Sequence, residues 1–248
     1  MKKEILVVIP FVAEDAQGSE IRLAAEGWRK HFKSKCRIVV VGDDPGIQNI
    51  DTVLKVDRLP EVDGQYRPHL DIANKMREVI NAFSGAYDGC IWASDDCYAV
   101  NDFTIADVKQ PKFQDAEMPW KGELHPNPWR RNLVKTRHLC DREGLGIVNW
   151  VTHLPLYYKF DKLASIIQDY DLIHESYVIE NIYFNKFRPR LVPHQMRNDD
   201  GYKFGVYYEP LDKRGFADAL NRKIWVCNSA HGWSEGLESA LRQHYGLE

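Results

Sequence analysis

The sequence predicts an α/β protein built on a mostly parallel sheet with helices packed against it. Three observations carry that prediction: short unbroken runs of β-branched and leucine residues, amphipathic stretches between them, and turn residues where one gives way to the other. Residues 5–9 are apolar at every position and are closed by Pro10. A strand with no polar face has to be covered on both sides, as parallel strands between helical layers are. Ser19 stands where an N-cap is needed for a helix running to about residue 32. Residues 38–41 repeat the buried-strand pattern before Gly42-Asp43-Asp44-Pro45 turns the chain, which completes a βαβ unit. A short third strand over 52–56 is followed by a loop containing Pro and Gly over 58–69. Ile72, Met76, Val79, Ile80 and Phe83 then fall at helical spacing, and residues 89–93 form the next buried strand, which leads into Asp95-Asp96.

Beyond Asp102 the texture changes. Residues 109–129 hold four prolines and little periodicity, as in a long functional loop or a lid. Helical signals return over 161–167, where Leu163, Ile166 and Ile167 share a face, and over 174–185. A last strand over 224–227 feeds the turn Ser229-Ala230-His231-Gly232 and a final helix. Leu237, Ala240, Leu241 and Tyr245 give that helix its buried stripe, and Gly246 caps it. No internal repeat or low-complexity tract interrupts the 248 residues, a length that suits one domain with a more irregular C-terminal part.

Composition narrows the function classes. A net charge of −3 gives no global reason to bind nucleic acid or an anionic membrane, so an anionic ligand has to be held locally. The 12% aromatic content suits sugar faces and suits cores equally. Cys36, Cys90, Cys97, Cys140 and Cys227 are odd in number and lie mostly in apolar runs, which fits free thiols and a cytoplasmic setting. The apolar run before Pro10 is only five residues long, too short for a signal peptide. No run approaches the roughly 20 residues of a membrane span, so a soluble protein is expected, with peripheral membrane attachment left open.

In open parallel sheets, ligands bind beyond the carboxyl ends of the strands. Three segments stand at such ends: Pro10-Phe11-Val12, Gly42-Asp43-Asp44 and Ser94-Asp95-Asp96. The last is the sharpest. Adjacent carboxylates repel unless a cation or donors compensate them, and Mg²⁺ and Mn²⁺ prefer such oxygen ligands and would in turn bind a diphosphate. An Asx-type turn explains the same pair without a metal.

The first 105 residues resemble the GT-A nucleotide-diphospho-sugar glycosyltransferases. The resemblance rests on Val7-Val8-Ile9-Pro10-Phe11, on Val39-Val40-Val41-Gly42-Asp43-Asp44, and on Ile91-Trp92-Ala93-Ser94-Asp95-Asp96 standing where that fold carries Asp-x-Asp. It covers residues 4–105 and is looser beyond. It implies a single GT-A (Rossmann-like) domain, with a nucleotide-sugar half over 1–105 and an acceptor and catalytic half over 106–248. The implied activity is metal-dependent transfer of a sugar from a UDP- or GDP-sugar to a hydroxyl acceptor, with Mn²⁺ or Mg²⁺ as cofactor. The acceptor would be a glycan, a lipid-linked sugar, a protein or a modified nucleobase. Ser94 departs from the family motif, which shifts coordination to Asp96 and leaves Asp95 nearer the sugar or ribose.

By the same resemblance Pro10, Phe11 and Val12 would line the base, and Asp43 would bond the base or ribose. Arg67, Asn74 and Lys75 lie where a cation reaches the phosphates. His231 is placed to add a late metal ligand, and Gly232 beside it allows close backbone approach. Glu180 stands at the interval of the fold's acidic catalytic motif, with Glu175 as rival, and His153 is placed to bind the donor sugar or phosphate. Each has a plainer reading as a turn carboxylate, a solvated helix residue or a structural histidine. Trp120, Trp129, Trp150 and Trp233 suit sugar stacking or core packing.

Two other enzyme classes are disfavoured. A sugar nucleotidyltransferase needs a Gly-rich loop after the first strand, but Phe11-Val12-Ala13-Glu14-Asp15 has no glycine before Gly18 and carries acids that repel phosphate. No Gly-x-Gly-x-x-Gly follows a strand, which disfavours a dinucleotide dehydrogenase. A non-catalytic carbohydrate- or nucleotide-binding protein of the same fold stays open, because the first motif Asp is missing.

Overall fold

A computed structural model describes residues 4–60, 67–188, 191–196 and 202–247. The elements in chain order are β1 (Ile5–Phe11), α1 (Glu20–His31), β2 (Cys36–Gly42), β3 (Thr52–Lys55), α2 (Pro68–Phe83), β4 (Gly89–Trp92), β5 (Cys97–Ala99) and α3 (Ile105–Lys109). They continue with β6 (Lys112–Phe113), α4 (Pro128–Arg142), β7 (Leu156–Lys159), α5 (Phe160–Asp169), α6 (Ile179–Lys186), β8 (His194–Gln195) and β9 (Lys203–Val206). The chain closes with α7 (Lys213–Arg222), β10 (Trp225–Asn228), a 3₁₀ turn over Ala230–Gly232 and α8 (Glu235–Tyr245). The expected loop at 58–69 lies partly outside the described residues.

The central sheet has the order β3-β2-β1-β4-β7, parallel except for the antiparallel edge strand β7. Its apolar runs behave as their lack of a polar face requires. Alternate residues point to opposite layers. Val7, Ile9, Ile38, Val40 and Ile91 meet Ile21 and Trp28 of α1 on one face. Leu6, Val8, Val39, Val41 and Cys90 meet Val79 of α2 and Phe160 of α5 on the other. Each such fully buried aliphatic side chain contributes about 1.5–3 kcal/mol, and the set fixes the register Val7↔Ile38 and Val8↔Val39. Trp28 is fully buried, 5.0 Å from Phe103 and 5.5 Å from Trp225 between ring centroids.

A second sheet, β5-β10-β9, lies against the other side of α1, where Leu23 and Ala24 join Tyr98, Val226, Leu237 and Leu241. Gly27 permits this approach: a Cβ there would stand 2.9 Å from the Ala99 carbonyl oxygen. A third cluster packs α5 and α6 with Ala73 and Met76 of α2 and Tyr158 of β7. No described helix is long and apolar enough to cross a membrane.

Several expectations are corrected in detail. The stretch read as loop to 129 contains β6 and ends in the first turn of α4, a 15-residue helix that opens on Pro128. The helix expected over 174–185 begins only at Ile179. Ser19 does take the N-cap position of α1, but its side chain does not cap; the hydroxyl donates to Glu238 Oε1 at 2.7 Å and ties α1 to α8.

Candidate functional site

The chain leaves β1 for β2 and β3 on one side and returns to β4 on the other, so the connections diverge beyond the ends of β1 and β4. This is the switch point at which α/β sheets open a crevice. Phe11 ends β1, Asp43 follows β2, and Ser94-Asp95-Asp96 follows β4. The Asp43 N–H donates to the Phe11 carbonyl oxygen at 3.2 Å, and Asp43 Oδ2 accepts the Ala13 N–H at 2.8 Å, which locks the segment after β1 to the turn after β2. Gly42 makes the approach possible. Its φ is 121°, and a Cβ would lie 2.1 Å from the Phe11 carbonyl oxygen.

The carboxylates gather at the end of β4. Ser94 Oγ donates to Asp96 Oδ1 at 2.5 Å, so the serine orients the aspartate two residues on. Burial, then the charges of Asp96 and Glu20, push the Asp95 carboxyl up to about 7. Glu20, the first residue of α1, is raised by burial and by Asp96, against hydrogen bonds that hold it down. Glu20 Oε2 accepts the Gln17 N–H at 3.0 Å, and Oε1 accepts from Asn228 Nδ2 at 2.8 Å. Asn228 Oδ1 accepts from the Tyr98 hydroxyl at 2.6 Å, while its backbone N–H donates to the Asp96 carbonyl oxygen at 3.1 Å. The ends of β4 and β10 are thereby fixed around one acidic spot. Sequence reading missed Glu20, because a glutamate in a first helical turn is ordinary.

Asp95 and Glu20, each raised in part by neighbouring carboxylates, stand beside Asp96, and a hard divalent cation there would offset the excess negative charge. Among the described residues no three His, Cys, Asp or Glu side chains converge to hold an ion by themselves. An ion at Asp96 would therefore complete its shell with ligand oxygens and water, as Mg²⁺ sites do. His231 is exposed on the turn after β10 and makes no hydrogen bond or ion pair among the described residues.

His153 stands at the same end of the sheet. Its φ of 55° lies in the left-handed region, a strained place for a non-glycine residue. The residue keeps an exposed edge, yet the protein packed around its ring and the charge of Lys203 hold the imidazole below the ordinary histidine range, against the upward pull of Asp96. Lys203 donates to the Thr152 carbonyl oxygen at 3.2 Å, which brings β9 beside the His153 loop. The His153 ring lies 6.3 Å from Trp129, and Trp129 stacks on His69 at 4.9 Å.

The remaining expected residues are placed elsewhere. Lys75 is 2% exposed and ion-paired with Asp71 at 2.6 Å; Asp71 also accepts the Leu59 N–H at 2.9 Å. Both residues belong to α2, and the Lys75 stem lies against Gly42 of β2. Asn74 is buried and accepts from Arg77 at 2.7 Å. Arg67 opens α2 at the edge of a groove that also holds Trp129, Arg131 and Lys135. Glu180 is the second residue of α6, its carboxyl raised by burial, and no hydrogen bond links it to the Asp95-Asp96 turn. Glu175 is paired with Lys135 at 2.5 Å. Trp150 is buried and donates to Asn185 at 3.2 Å, Trp120 is exposed beside Arg137, and Trp233 packs on Tyr98.

No family model matches the chain, and no curated protein matches it significantly.

Proposed function

We propose that the protein is a metal-dependent glycosyltransferase of the GT-A type, which takes a sugar from a UDP- or GDP-sugar and passes it to a hydroxyl acceptor. The observation that carries this reading is the acidic turn Ser94-Asp95-Asp96, joined by Glu20, at the switch point between β1 and β4. A crevice there suits a nucleotide. Pro10, Phe11 and Val12 would form one wall for the base, with Asp43 directed to base or ribose by its bond to the Ala13 N–H. Asp96, oriented by Ser94, would hold Mn²⁺ or Mg²⁺ with help from Asp95. The bound ion would supply charge neutralisation for the departing diphosphate.

Inverting transfer also needs a group to take the acceptor proton. His153 is favoured over Glu180 by position, since it shares the end of the sheet with Asp96 and borders the Trp129 groove. The five free cysteines fit a reducing compartment such as the cytoplasm. Nucleoside diphosphate release from a panel of UDP- and GDP-sugars with Mn²⁺, followed by chromatography, tests the reading. Slow donor hydrolysis that Asp96→Asn abolishes supports it. Absence of release from every donor, together with absence of nucleotide binding, overturns it.

A further inference from the structure

A groove apart from the acidic turn lies where two helices begin. It encloses about 770 Å³ and is lined by Arg67, His69, Trp129, Arg131, Lys135 and Glu175, among others. α2 and α4, of 16 and 15 residues, both open on proline and both turn their first residues to it. The positive ends of two helix dipoles therefore share one space. Asn127 caps α4 through the Trp129 N–H at 2.8 Å, whereas no side chain caps α2.

The charge is local and one-sided. Arg67 has no ion pair among the described residues. Among the described residues Arg131 donates only to the His125 and Pro126 carbonyl oxygens, at 2.6 and 3.0 Å, and no carboxylate of theirs offsets it. Lys135 is matched by Glu175 at 2.5 Å. Three cations less one carboxylate leave +2 on the wall of a chain whose net charge is −3.

A second, independent observation points to an acceptor of hydrogen bonds. His69 is 8% exposed. Its Nδ1 lies 3.0 Å from Asn132 Nδ2, an amide nitrogen that donates, so in the neutral ring the proton sits on Nε2. That Nε2–H is buried with no partner among the described residues. Buried donors rarely stay unpaired, and since His69 lines the groove, a small shift of its ring would bring the Nε2–H to an oxyanion there.

We infer that this groove binds an oxyanion, a phosphate or carboxylate, carried by the second substrate, with Arg67, the first turn of α2 and His69 as its recognition elements. Naming that substrate the sugar acceptor rests on the glycosyltransferase reading; the anion site does not. Trp129 of the groove wall lies 6.3 Å from the His153 ring, which stands at the Asp96 end of the sheet, so a ligand anchored here lies on the side of the molecule that carries the acidic turn.

Calorimetric titration of the whole chain with glucose 6-phosphate, glucuronate, inorganic phosphate and glucose, without metal or nucleotide, tests the inference. One or both acidic sugars bind and glucose does not; which of the two binds separates phosphate from carboxylate. Arg67→Gln, on the surface, weakens that binding about tenfold or more, as loss of a charged hydrogen bond does, and His69→Gln weakens it further. Both variants keep Mn²⁺-dependent nucleoside diphosphate binding, whereas Asp96→Asn keeps the anion and loses the nucleotide. Binding of glucose equal to that of the acidic sugars, no binding of any anion, or anion affinity unchanged in Arg67→Gln overturns the inference. In each of those cases intact nucleotide binding would leave the donor site standing.

Discussion

His69 should make the protein acid-sensitive in a defined window. Burial pushes its imidazole down to about 4 from an ordinary 6.5. Between those values the unfolded chain takes up a proton that the native one refuses, so stability falls as the pH falls. Above 6.5 the contribution is fully present, and at 4 nearly all of it is gone. A difference of about 2.5 units corresponds to about 3 kcal/mol in full, of which about 2 kcal/mol is lost between pH 7.5 and 5. Screening takes little away, because the ring is 8% exposed. Urea unfolding in phosphate-free buffers at several pH values in this range measures the effect. In His69→Gln the fall in stability between pH 7.5 and 5 should be smaller by about 2 kcal/mol than in the wild type. Comparing slopes removes the constant cost of the substitution. Parallel wild-type and variant curves would refute the reasoning, since His69 would then titrate alike in both states.

Two further outcomes are expected. Lys75→Met takes the ion-pair partner from the buried Asp71 carboxylate and should cost about 3–5 kcal/mol in denaturant unfolding, while leaving nucleotide binding per folded molecule within a few-fold; a variant of wild-type stability would show that the pair does not stabilise the fold. Cys36, Cys90, Cys97 and Cys140 should be unreactive in the native protein at pH 8, because burial pushes Cys36 to about 11 and Cys140 to about 12 and raises Cys90 and Cys97 as well. Rapid native-state labelling of Cys90, Cys97 or Cys140 would contradict the packing described.

The strands of the central sheet were legible because they are buried on both faces, and 5–9, 38–41 and 89–93 therefore carry no polar position to confuse the pattern. The helix α4 was hidden by its prolines. Yet Pro128 sits where a helix lacks N–H partners in any case, Asn127 before it is a capping residue, and Leu133, Val134 and Cys140 are buried on its inner side. β7 is short, and it pairs at an edge by backbone bonds that its sequence does not announce. At the site, Asp95 and Asp96 were visible because paired acids at a strand end are conspicuous. Glu20 was not, because only the turn after β1 and Asn228 from the far end of the chain bring it to them. Ser94 drew notice only as a departure from the Asp-x-Asp pattern, and the bond from its hydroxyl to Asp96 appears only in the folded chain. His69 gave no signal at all, since its missing partner is a property of the packed state.

The central claim is that the acidic turn after β4 holds a cation and, through it, a nucleoside diphosphate. Isothermal titration of UDP and GDP into the full chain, with and without Mn²⁺, tests it most directly when wild type and Asp96→Ala are run side by side. The account predicts binding of at least one of the two nucleotides that requires Mn²⁺, is lost in Asp96→Ala, and is lost without change in the unfolding midpoint measured in the absence of metal. Nucleotide binding indifferent to Mn²⁺, or undiminished in a folded Asp96→Ala protein, would contradict it and leave Asp95 and Asp96 as the residues of a turn.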